Sequence, residues 1–186
     1  MLSSGPMSTS GDKATFVAGA VVIGAACLLG GTLLPHINPL RANPESNVRK
    51  PAPEFNLPVI SQGDPGSRLA LSDLKGSPVL IDFWATWCSA CGMQSPIVDR
   101  VARRYQDRGL KVVGVTVLND DHRAAAKMAS AWAFPVVVDD TGLTQQTYGV
   151  TSLPTLVLVD KEGNVVKTTR GLVDEASLDK MVREVM

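Results

Sequence analysis

Two cysteines three positions apart, Cys88 and Cys91, stand where a buried-strand pattern gives way to a helical one. Ahead of them runs Val79-Leu80-Ile81-Asp82-Phe83-Trp84, strand-forming and mostly apolar, followed by a short Ala85-Thr86-Trp87 turn. Beyond them Ile97, Val98, Val101, Ala102 and Tyr105 recur at spacings of three and four, as on one helix face. The pair therefore opens a helix at the end of a buried strand. Helix N-termini carry unpaired N–H groups and the positive end of the helix dipole. A thiol placed there ionises more easily, and the thiolate is the reactive form. Strand, dithiol and helix together point to a redox site.

Two structural readings compete and are weaker. Structural zinc needs four ligands, and the chain has no second cysteine pair; its two histidines, His36 and His122, lie far away in sequence. A purely stabilising disulfide over three positions closes a very small loop and gains little.

The segment Phe83-Trp84-Ala85-Thr86-Trp87-Cys88-Ser89-Ala90-Cys91 resembles the active-site segment of the thioredoxin superfamily, with Pro96 where that family has a proline in its first helix. Tyr148-Gly149-Val150-Thr151-Ser152-Leu153-Pro154-Thr155 resembles the family's loop with a cis-proline facing the dithiol. The likeness runs from about residue 50 to 186. The lead-in Ala-Pro-Glu-Phe, the later Leu-Ser-Asp-Leu-Lys-Gly and a helix-plus-strand unit after the second long strand resemble the TlpA/ResA/CcmG branch in particular. The resemblance implies an α/β thioredoxin-like fold: a mixed central sheet flanked by helices, with an N-terminal hairpin and a central helix–strand insertion.

The chain holds 186 residues, 45 % hydrophobic and 19 % charged, with a formal net charge of zero. That suits one domain with an added apolar segment and offers no basic field for nucleic acid. The added segment is residues 14–34, uncharged and long enough to span a bilayer core. It exceeds the apolar region of a cleaved signal peptide, the rival reading, and lacks a clear small-x-small cleavage site at its end. We read residues 1–13 as a disordered terminus, 14–34 as a membrane anchor holding the lone Cys27, 35–52 as a Pro- and Asn-rich linker, and 53–186 as the thioredoxin-like domain. Lys13 precedes the anchor while Arg41, Arg49 and Lys50 follow it. This small charge bias alone would keep the domain in the cytoplasm. The branch resemblance implies the opposite: a bacterial inner-membrane protein whose domain faces the periplasm or cell exterior.

Within the domain, Phe55, Leu57, Val59 and Ile60 indicate a strand, residues 62–66 a turn, residues 69–71 the returning strand and residues 72–76 a helical turn. Residues 111–118 form a second apolar strand, 121–132 an alanine-rich helix and 135–138 a brief strand. Residues 155–159 and 165–169 pair across Asp160-Lys161-Glu162-Gly163. Asp174 caps a last helix whose buried stripe is Leu178, Met181, Val182 and Val185.

Cys88, at the helix start beside Trp87, is the expected nucleophile, and Cys91, one turn inward, the expected resolving thiol. Asp82 is a charged residue within an apolar strand, costly unless neutral or paired. Burial raises such a pKa, which suits a proton acceptor for Cys91 near neutral pH. It matches the buried aspartate of thioredoxins. Thioredoxins often supply a nearby lysine from the next strand, whereas this chain has Thr116 and Val117 there. Where the branch often carries an acid, this chain has Asn119 and then Asp120. The resemblance further implies that Trp87, Leu153 and a cis-Pro154 bind an extended substrate segment, much as a strand is added to a sheet edge. It implies no metal and no cofactor beyond the Cys88–Cys91 couple. It also implies protein disulfides as substrates, apocytochrome c with its Cys-x-x-Cys-His site being the commonest client, and a membrane electron donor of the CcdA/DsbD type.

Other functions on the same architecture fit less well. Peroxiredoxins carry a threonine three places and a proline seven places before the reactive cysteine; here those places hold Ala85 and Ile81. Copper-delivery proteins use Cys-x3-Cys and a late histidine, and no histidine follows His122. Oxidising DsbA-like proteins usually place histidine between the cysteines; Ser89 and Ala90 carry no charge, which favours a reductant.

Overall fold

The computed structural model describes residues 49–64 and 66–186. The anchor expected over residues 14–34, Cys27 and most of the linker lie outside them. Among the described residues no helix is long and apolar enough to cross a membrane.

Eight strands form one mixed sheet in the order β1-β8-β7-β4-β5-β6-β2-β3. The strands are β1 (Lys50–Pro51), β2 (Asn56–Ser61), β3 (Arg68–Ala70), β4 (Val79–Trp84), β5 (Lys111–Thr116), β6 (Val136–Val138), β7 (Thr155–Val159) and β8 (Asn164–Arg170). The helices are α1 (Ser89–Tyr105), α2 (His122–Ala129), α3 (Leu143–Thr147) and α4 (Glu175–Arg183). β4 is central, parallel to β5 and antiparallel to β7. Every one of its residues is buried, which explains its nearly unbroken apolar run.

Alternation along β4 divides the core in two. Leu80 and Trp84 face a cluster that includes Cys91, Val98, Val101 and Tyr105 of α1 and Leu178 and Val182 of α4. Ile81 and Phe83 face the other cluster, with Phe55, Val113, Val115 and Tyr148. The expected hairpin is β2–β3, and the expected insertion is α2–β6, whose strand extends the sheet from β5 to the hairpin. Asp174 does cap α4, its carboxylate accepting the Ser177 N–H at 2.9 Å. Asp121 caps α2 in the same way.

Three expectations need correction. Lys50 and Pro51, assigned above to the linker, form β1 on the outer edge of β8. Arg49 pairs with the nearly buried Asp160 at 2.9 Å, and the Ala52 N–H donates to the Gly163 carbonyl. Proline is tolerated in an edge strand because its missing N–H is not needed by a further neighbour, so Pro51 reads as linker and folds as sheet. The alanine-rich helix ends at Ala129, before the expected Trp132. Trp132 instead packs between Trp84 and Phe134, with ring centroids 4.7 Å and 5.2 Å away. Third, α3 was not anticipated at all.

Candidate active site

Cys88 is the N-cap residue of α1 and has extended backbone dihedrals. An N-cap side chain faces the free N–H groups of the first turn. Here the Cys88 Sγ accepts the Cys91 N–H at 3.1 Å, and that same donor is positioned to stabilise a Cys88 thiolate. Cys88 and Cys91 are joined as a disulfide with Cα atoms 5.2 Å apart. Cys88 is half-buried, while Cys91 is 1 % exposed and belongs to the core. Trp87 beside them is 66 % exposed. One sulfur therefore reaches solvent and the other does not.

Cys88 opens into a cleft of about 630 Å³. Trp87–Ala90 form one wall, Val117–Asn119 with Gln145 a second, and Val150–Leu153 a third. The Leu153–Pro154 peptide bond is cis. The Pro154 carbonyl accepts the Gly171 N–H at 2.8 Å, and the Thr155 hydroxyl donates to the Ser152 carbonyl at 2.7 Å. The second bond closes the loop on itself ahead of β7, and the first ties it to the connection after β8.

Asp82 is fully buried, and neither of its carboxyl oxygens has a hydrogen-bond partner. Strand alternation turns it to the same face as Leu80 and Trp84, the face that α1 and Cys91 cover. Its cross-strand neighbours are Gly114 and Leu156. Among the described residues no cation pairs with it. Desolvation alone pushes its pKa up to about 7. Thr116 of β5 is buried opposite Trp84 with its hydroxyl unpartnered.

Asp120 contributes differently. Its nearly buried carboxylate accepts the Thr86 N–H, the Thr86 hydroxyl and the Asp121 N–H. It ties the loop after β5 to the turn that carries Trp87 and Cys88. Asn119, its neighbour, has a left-handed φ of 67° and lines the cleft. Gln94, one turn beyond Cys91 in α1, is fully buried and accepts the Val173 N–H at 2.7 Å. Sequence reasoning passed over Gln94; the available signal was a polar residue three positions from Cys91 on the inward helix face. Among the described residues no group of three or more His, Cys, Asp or Glu is arranged to hold a metal ion.

A family model described as the AhpC/TSA family matches residues 48–168, from β1 through most of β8. The chain belongs to the AhpC/TSA family. Within that thioredoxin-like family it is similar to the thiol-disulfide oxidoreductase ResA of Bacillus subtilis, with 31 % identity over 88 % of each chain. It is also similar to the thiol:disulfide interchange protein DsbE of Pseudomonas aeruginosa, with 33 % identity over 71 % of each chain. Among solved structures, an exposed lipoprotein thioredoxin of Streptococcus pneumoniae superposes with a TM-score of 0.62 and 31 % identity, covering 71 % of this chain and 99 % of that one. The AhpC/TSA member described here, with its cysteine pair, is thus a thiol-disulfide oxidoreductase of the ResA/DsbE type with the thioredoxin-like fold expected from its sequence.

Proposed function

We propose that this protein is an extracytoplasmic, membrane-anchored reductase of protein disulfides. The observation that carries this reading is the half-buried Cys88, bonded to a buried Cys91 at a helix N-terminus and opening into a cleft bounded by the Leu153–Pro154 loop.

In the proposed cycle the Cys88 thiolate attacks one sulfur of the substrate disulfide. That S–S bond breaks, a mixed disulfide forms and the other substrate sulfur leaves as a thiolate, which takes a proton. Asp82, ionised, then accepts the Cys91 proton. The Cys91 thiolate attacks the Cys88 sulfur, the mixed disulfide breaks and the second substrate sulfur leaves. Two electrons have moved to the substrate, and Cys88–Cys91 is oxidised. A pKa of about 7 lets Asp82 both take and release a proton near neutrality. A membrane donor of the CcdA/DsbD type would supply the electrons that restore the dithiol. Trp87, exposed, and the Leu153–Pro154 backbone would hold the substrate segment.

The likeness to an exposed lipoprotein supports a domain outside the cytoplasm. The uncharged Ser89-Ala90 pair supports the reducing direction. For the substrate we propose apocytochrome c. Partner capture tests that choice: Cys91→Ser protein in its native membrane should hold apocytochrome c through Cys88. Capture of other exported proteins with no cytochrome among them would reject the named substrate.

A further inference from the structure

Gln94 lies on the inward face of α1 in line with Cys91, and both are buried. A buried primary amide costs free energy unless it is bonded. Its Oε1 accepts the Val173 N–H, 79 positions away in sequence, while its Nε2 has no hydrogen-bond partner among the described residues. Val173 lies in the short connection between β8 and α4, just before the N-cap Asp174. Two positions earlier in that connection, Gly171 donates its N–H to the Pro154 carbonyl. Gly171 has a left-handed φ of 82°, a conformation glycine adopts without a steric penalty. The segment Gly171–Val173 thus grips α1 at one end and the cis-proline loop at the other.

Those two elements carry facing walls of the cleft, Trp87–Ala90 and Val150–Leu153. Among the described residues no hydrogen bond joins α1 directly to residues 150–154. The bracket through Gly171–Val173 is one polar link between them, joined to α1 by the Gln94 side chain; Arg100 and Arg104 of α1 also pair with Glu175, two positions past Val173. Because Val173 offers a donor, the amide oxygen of Gln94 must face it.

We propose that Gln94 is a positioning residue: through Gly171–Val173 it fixes the spacing between the dithiol and the Leu153–Pro154 wall, and so sets how firmly a disulfide-bearing polypeptide docks. This rests on the reading above that an extended segment binds along Leu153–Pro154. Such a segment must meet that wall and present its sulfur to Cys88 at once, so small errors in wall spacing weaken docking. A small disulfide that touches Cys88 alone does not sense the second wall.

The test uses the full chain in detergent, pre-reduced and mixed in single turnover with two disulfides. One is an oxidised peptide carrying Cys-Ala-Ala-Cys-His; the other is dithiobis(nitrobenzoate). Gln94→Met keeps length and removes the acceptor. It should raise the half-saturating peptide concentration about tenfold, as loss of one buried hydrogen bond implies, while the maximal rate, the reaction with dithiobis(nitrobenzoate) and the midpoint potential stay at wild-type values. Gln94→Glu retains an oxygen at the same reach and should restore peptide saturation. A folded Gln94→Met protein with unchanged half-saturation overturns the proposal. So does equal slowing with both disulfides, or a Gln94→Glu protein as impaired as Gln94→Met. Should Gln94→Met fail to fold by circular dichroism, Gln94→Asn, one methylene too short to reach Val173, carries the same expectations. Wild-type protein that reacts with dithiobis(nitrobenzoate) but shows no saturation with the peptide would instead reject the polypeptide-docking reading itself.

Discussion

Asp82 and Gly114 stand side by side in the parallel register of β4 and β5. A Cβ at Gly114 would come within 3.1 Å of Val136 Cγ2 and 3.2 Å of Trp84 Nε1. The strand beside the buried carboxyl is thus packed tightly without contributing a polar group of its own side chain. Among the described residues neither carboxyl oxygen has a hydrogen-bond partner and no cation pairs with it, and its other neighbour, Leu156, is apolar. Asp82 is therefore held neutral by desolvation up to about pH 7.

That has a signed consequence for stability. The folded pKa, about 7, lies above the ordinary aspartate value of 3.8. Between those values the folded chain keeps a proton that the unfolded chain has lost. The contribution is fully present below about pH 4 and disappears as pH rises through about 7. The penalty at alkaline pH is on the order of 4 kcal/mol. Asp82→Asn should abolish this slope and be the more stable protein at pH 8 in urea unfolding of the oxidised form. It should also slow turnover, by about a hundredfold if Asp82 serves Cys91 as a base. Equal stability slopes, or unchanged activity from neutral to mildly alkaline pH, would remove Asp82 from the account.

Asp120 is expected to matter through the Thr86 turn. Asp120→Ala removes the acceptor for the Thr86 N–H and hydroxyl, with a predicted loss of about 1–3 kcal/mol. Asp120→Asn, which keeps one oxygen, should recover part of it. Urea midpoints within error of wild type for the alanine variant would show that the clamp contributes nothing.

Much of this architecture was legible before any coordinates. β4 announced itself because a strand covered on both faces must be apolar throughout, and Asp82 stood out against that background. The amphipathic spacing of Ile97, Val98, Val101, Ala102 and Tyr105 located the inward face of α1; the last four are buried and Ile97 is half-buried against the same core. Elements held by polar contacts were harder to read. α3 is Leu-Thr-Gln-Gln-Thr, too short and too polar to show a helical period. It depends on the buried Asp139, which accepts the Gln145 N–H at 2.7 Å, and on the left-handed Gly142 before it. β1 is hidden by Pro51, whose usual meaning is a loop. Gln94 and Asp120 act through partners 79 and 34 positions away, and no local pattern encodes such pairings.

The redox potential follows from the first turn of α1. It holds no charged side chain, so a Cys88 thiolate is favoured by the helix N-terminus and its N–H group alone. We predict a midpoint of roughly −200 to −280 mV, in the range of glutaredoxin and thioredoxin couples. Equilibration with glutathione buffers measures it. A value near −120 mV, as for the strong oxidant DsbA, would reverse the proposed direction of electron flow.

The most direct test of the central claim compares two single-cysteine variants on a disulfide-bearing partner. The half-buried position of Cys88 at the cleft and the buried position of Cys91 allow only one of them to meet a substrate sulfur. Cys91→Ser should accumulate a mixed disulfide through Cys88, visible on non-reducing gels and mapped by mass spectrometry, because the resolving attack is missing. Cys88→Ser should accumulate none and react slowly with alkylating agents. Equal trapping through Cys91 in the Cys88→Ser protein would contradict the assignment of nucleophile and resolving thiol, and with it the proposed cycle.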